Sequence, residues 1–123
     1  MFEVTDYHEL IALNKALFEA RYYGASKQSS VPGSPFVATI HERVLAAIFV
    51  HEKQPQSRID EFMKCSKREI EQAAVREFLS GCDWNRMDRE SQRGFIANLV
   101  RPFVATETEL EDLRAFAESQ HRG

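Results

Sequence analysis

Apolar residues recur along this chain at intervals of three and four, the period of an amphipathic α-helix. In the first segment they fall at Tyr7, Leu10, Ile11, Leu13, Leu17, Phe18 and Tyr22. Asp6 precedes them as a cap, with Glu9 three residues on in capping-box position. Gly24 is a natural stop. A second helix is predicted from Pro35, capped by Ser34, to about Glu52. Its apolar set is Phe36, Val37, Ile40, Val44, Leu45, Ala47, Ile48, Phe49 and Val50, which leaves little polar surface in its second half. Such a helix sits at the centre of a bundle or turns its extra apolar side to a second subunit.

Pro55 breaks the pattern. A short helix over Ser57 to Lys64 follows, with Ile59, Phe62 and Met63 inward. Ser66 and Glu69 form a second capping box. The helix behind it reaches about Leu79, with Ile70, Ala73, Ala74 and Phe78 on one side, and Gly81 ends it. Asp83 and Trp84 read as a turn. Asp88 caps a helix predicted over Arg89 to Val104, which Pro102 bends or ends early. Thr106 and Glu109 make a third capping box ahead of Leu110, Leu113, Phe116 and Ala117. No run alternates in the manner of a strand. The expectation is an all-α fold: a compact orthogonal bundle of about six helices in a single domain, 1–123. Its one long connection is the Ser/Gly/Pro-rich loop at 24–35.

The chain has 123 residues, enough for a core without disulfides or metals. Nine Phe residues are spread along it, so each segment brings a ring to a shared core. The net charge of −3 argues against a surface that binds nucleic acid throughout. Charge is uneven, however. Glu3, Asp6, Glu9 and Glu19 make the start acidic, and Glu107, Glu109, Glu111, Asp112 and Glu118 do the same for the last helix. Arg86, Arg89, Arg93 and Arg101 share one stretch between them. Two cysteines, Cys65 and Cys82, form no metal-ligand or redox motif and read as buried or half-buried thiols in a reducing compartment. No leader pattern opens the chain, and its longest apolar stretch, Val44 to Val50, is far too short to span a bilayer. The cytoplasm is the expected location, with no membrane partner.

Enzyme motifs are missing. The chain has no phosphate loop, no dinucleotide fingerprint and no nucleophile elbow. His8, His41 and His51 each precede a Glu, but none belongs to a zinc or di-iron spacing. His41 and His51 lie on one flank of an ideal helix, where a carboxylate from a neighbouring helix would be needed to complete a metal site. No cofactor is expected and the chain is not read as an enzyme.

Two surfaces carry binding signals. Gln56 to Val75 resembles a helix-turn-helix motif, which needs apolar side chains where two short helices cross at a steep angle. Ile59, Met63, Cys65 and Ile70 fall at those places. On that reading Lys67 and Arg76 meet phosphates and Arg68 and Gln72 meet base edges. Asp60 and Lys64 stand where the motif wants a small residue and a glycine, which weakens it. The second surface is aromatic and basic: Tyr22 and Tyr23 beside the long loop, and Trp84 with Arg86, Arg89 and Arg93, residue types enriched at protein interfaces. The balance of these features favours a small non-enzymatic protein acting through protein–protein binding, as a regulator, inhibitor or adaptor. Its partner is unidentified, and a homodimer is expected to bury part of helix 35–52. The alternative is a helix-turn-helix transcriptional regulator binding DNA through 56–75.

Overall fold

The structure, a computed structural model, describes residues 2–24 and 29–122. Six α-helices follow in order: α1 (Tyr7–Phe18), α2 (Pro35–Glu52), α3 (Gln56–Met63), α4 (Glu69–Gly81), α5 (Arg89–Val100) and α6 (Glu107–Gln120). The fold is an all-α bundle. No helix among the described residues is long and apolar enough to cross a membrane. Of the expected loop, residues 25–28 lie outside the described residues.

Most helix starts obey local chemistry. The side chains of Asp6, Ser34, Asp88 and Thr106 each accept a bond from a backbone N–H three residues on. At α6 the box is complete, because Glu109 reaches back to the Thr106 N–H at 2.8 Å. Helix α1 does not stop before Gly24 in α-form; Glu19–Tyr23 widen into a π-helical turn.

Two boundaries depart from expectation. Ser66 does not cap α4. It sits in a 3₁₀ turn, Cys65–Lys67, and Arg68 precedes α4 with no side-chain cap. The cause is distant in sequence. Met63 and Cys65 bond through their backbones to Val104, Val104 N–H to Met63 O at 2.7 Å and Cys65 N–H to Val104 O at 2.9 Å. That bridge holds Lys64 extended and shifts the turn by two residues. Helix α5 ends at Val100, four residues short of the prediction. Pro102 offers no N–H and rejects helical backbone at Arg101, which is extended; the Arg101–Pro102 peptide bond is cis.

The bundle has two packed parts. In one, α1 lies along α2 and buries Leu10, Val44 and Ile48 between them. In the other, α4, α5, α6 and the π-helical turn surround Phe18, Tyr22, Val75, Phe78, Leu79, Trp84, Ile96, Leu99 and Leu113. Helix α3 has no fully buried side chain and meets the second part only at its end, where Met63 packs half-buried against that core.

Arg21 joins the parts. It is wholly buried. Its guanidinium donates to the carbonyls of Asn98 (2.6 Å), Arg101 (2.5 Å) and Pro32 (3.4 Å). The first two lie where α5 ends, where carbonyls lack helical partners and the dipole favours a cation. A further N–H meets His41 Nδ1 on α2 at 3.1 Å. Since Arg21 can only donate, Nδ1 accepts; the proton sits on Nε2 and is donated to Asn14 Oδ1 at 3.0 Å. One buried side chain thus links α1, α2 and the end of α5.

Candidate protein-binding face

The segment that resembled a helix-turn-helix does not pack as one. Ile70, expected in the joint between two helices, is 66% exposed. The 3₁₀ turn separates α3 from α4, and α3 leans on other partners. The residues assigned to DNA are used within the protein. Arg68 is half-buried, its guanidinium carbon 4.7 Å from the ring centres of both Phe62 and Phe103, and pairs with the buried Glu71 at 2.5 Å. Gln72 donates to the Cys65 carbonyl at 2.5 Å. Arg76 lies over Phe116, 5.4 Å from its ring centre. Only Lys67 is open to solvent, and it faces Glu61 at 3.5 Å. Two amphipathic helices with a turn between them mimic the motif's spacing, and here α4 turns Ala74, Val75, Phe78 and Leu79 to the core while Ile70 stays outside.

The aromatic candidates divide. Trp84 is completely buried and donates to Glu118 at 3.2 Å, so it offers a partner nothing. Tyr22 is also a core residue; its hydroxyl lies 2.9 Å from the carbonyls of both Leu99 and Arg101. Burial pushes its ionisation well above the ordinary phenol value. Tyr23 remains exposed and donates to Glu71 at 2.8 Å. Partial desolvation, then that bond to a carboxylate, raises its pKa to about 12. Arg86, Arg89 and Arg93 are exposed and take part in no ion pair among the described residues. Glu111 on α6 is held below the usual carboxylate range, mainly by Arg114, with Arg89 and Arg93 adding. Arg101, from the same stretch, is tied to α2 through Glu42 and the Thr39 hydroxyl.

His41 and His51 do not meet. His41 is buried beside Arg21, while His51 is exposed and bonds the Thr5 carbonyl at 3.0 Å. Among the described residues no group of three or more His, Cys, Asp or Glu is gathered that could hold a metal. Cys65 is buried and Cys82 half-buried, and burial raises both thiol pKa values.

The largest unexplained feature is the outer face of α2. Ala38, His41, Val44, Leu45 and Ile48 face the core. Opposite them, Phe36 is 79% exposed, Ile40 44% and Val50 75%. With Arg43, and with Ala47 at the edge where it already packs half-buried against the α1–α2 core, these residues are spaced 4-3-4-3 along the helix, the spacing of a seam that packs on another helix. At Val50 the stripe borders an open groove of about 430 Å³ between α2 and α3, whose lining includes Glu42, Phe49, Lys53, Ile59 and Met63. A second groove of about 660 Å³ is lined by the apolar Phe49, Ile59 and Phe62 and by charges of both signs, Arg58, Lys67 and Arg68 with Glu52 and Glu61. Sequence reasoning counted Phe36, Ile40 and Val50 among the apolar residues of helix 35–52 and expected the extra apolar side of that helix to meet a second subunit, but did not single out these three as the exposed set. The signal was the apolar excess of α2, more positions than one buried stripe can use; which residues make up the exposed part is set by the packing. No protein-family model, no curated protein and no solved structure matches this chain.

Proposed function

We propose that this protein is a non-enzymatic binding protein, a regulator, inhibitor or adaptor, that docks another protein on the face built by α2 and α3. The observation that carries the reading is the exposure of Phe36, Ile40 and Val50 on the side of α2 turned away from the core. Exposed apolar residues that line up and adjoin an apolar groove cost solubility, and their usual use is a contact. Burying such side chains yields about 25 cal/mol per Å² removed from water, so a few of them can anchor a complex.

The double variant Phe36→Ser with Val50→Asp tests the reading. Both positions are at the surface, so the helical circular-dichroism signal and unfolding midpoint should stay near those of the parent. A stoichiometric partner that co-purifies with the parent from its native host should be lost. A complex that survives both substitutions would place the contact elsewhere.

A further inference from the structure

The α2 face is not purely apolar, and its charges narrow what can cover it. Arg43 stands at the midpoint of the stripe, between Phe36 and Ile40 on one side and Ala47 and Val50 on the other. It is exposed and joins no ion pair among the described residues. Its helical neighbours three and four residues away are Thr39, Ile40, Ala46 and Ala47, none of them acidic. The adjacent carboxylate, Glu42, is already taken by Arg101. Lys53, about 15 Å further along at 1.5 Å per residue, is likewise exposed and unpaired among the described residues, and it borders the α2–α3 groove.

Covering the stripe would take Arg43 out of water, which is costly without a counter-charge. This bears on self-association. A two-fold axis pairs a patch with its own copy. With the stripe symmetric about Arg43, an antiparallel pairing that buries all of it sets Arg43 against Arg43. A parallel pairing does the same. Shifting the register to separate the two cations leaves Phe36 or Val50 uncovered. The expected homodimer through 35–52 therefore meets repulsion at its centre.

Resting on the protein-binding reading above, we infer that the occupant of this face is an acidic amphipathic helix of another protein. Its apolar seam lies along the exposed Phe36, Ile40 and Val50, with a carboxylate set opposite Arg43 and another near Lys53. Helix-in-groove recognition works in this way: apolar anchors supply affinity, and flanking charges select orientation and partner.

Two designed helical peptides of about three heptads, alike in Leu at a and d, test the inference. One carries Glu at e and g and the other Lys. Titrated by fluorescence anisotropy, the Glu peptide should bind about tenfold tighter or better than its Lys twin. Arg43→Glu should reverse that order, and added salt should narrow the difference. Equal affinity for both peptides, or binding of neither, would overturn the inference. So would binding to phosphatidylserine vesicles in place of the peptides, or a dimer in sedimentation that tightens in Arg43→Leu, since the occupant would then be a membrane or a second copy. The broader reading is tested separately: Phe36→Ser with Val50→Asp would still abolish the native complex if only the acidic character were wrong, and a complex that survived both substitutions would sink the broader reading itself.

Discussion

Arg21 is buried with no carboxylate at ion-pair distance among the described residues, and the end of a helix takes the place of a counter-ion. Burial lowers its pKa, yet a guanidinium stays charged across the accessible range. The residue that adapts is His41. Burial first, then the positive charges of Arg21 and Arg68, move its pKa from the ordinary 6.5 down to about 3. The folded value lies below the unfolded one, so between them the unfolded chain binds the extra proton. The stabilising contribution is complete above pH 6.5 and is lost as pH falls towards about 3. In the upper part of that window, above pH about 5, the carboxylates are still ionised. There the melting temperature of the parent should already decline with acidification. His41→Gln, which can still accept from Arg21 and donate to Asn14 without titrating, should be flatter over the same interval. A parent as insensitive as the variant would remove His41 from the account.

Among the elements, α3 is the least secured. Its attachments are few: Phe62, whose ring lies 5.6 Å from that of Phe49 and 6.3 Å from that of Phe103 and meets Arg68; the half-buried Met63; and the backbone bridge to Val104. Elements with little buried surface open at low free-energy cost. In hydrogen exchange, the amides from Asp60 to Met63 should lose protection well before those in the middle of α2 and α4. Phe62→Ala should hasten that loss and leave α2 unchanged. Equal protection in α3 and α4 would contradict this picture of the element. The same looseness explains why sequence reading misjudged this region. A Ser-x-x-Glu box is worth about 1 kcal/mol. That is too little to hold its register against the Val104 pairing and the stacking of Arg68 between two Phe rings. The caps at Asp6, Ser34, Asp88 and Thr106 face no such competition, and there the local rule held.

At the level of the whole molecule, the α1–α2 pair and the α4–α6 group depend on a narrow seam. Phe18, Tyr22, Arg21 and His41 form its middle, and the Pro32–Gly33 corner closes it. Gly33 lies so near α5 that a Cβ there would sit 2.5 Å from Phe95 Cε1. Gly33→Ala must displace that ring, and overpacking of this kind costs about 1–3 kcal/mol. Trp84, the only tryptophan and wholly buried, reports the outcome. Its fluorescence transition in urea should move to lower denaturant in the variant. An unmoved midpoint would mean that the corner does not rest on α5.

Periodicity and capping chemistry by themselves determined that this chain is helical, how many helices it makes and where four of them begin, because those choices depend on residues within one turn of each other. Tertiary packing alone decided which apolar residues went inside. It buried Trp84 and Tyr22, turned Arg68, Gln72 and Arg76 to uses within the protein, and left Phe36, Ile40 and Val50 facing solvent. The reason is that α2 has apolar residues on two sides and neighbours enough to cover one. Which side is covered depends on where α1 and α5 come to lie, and no spacing within α2 records that.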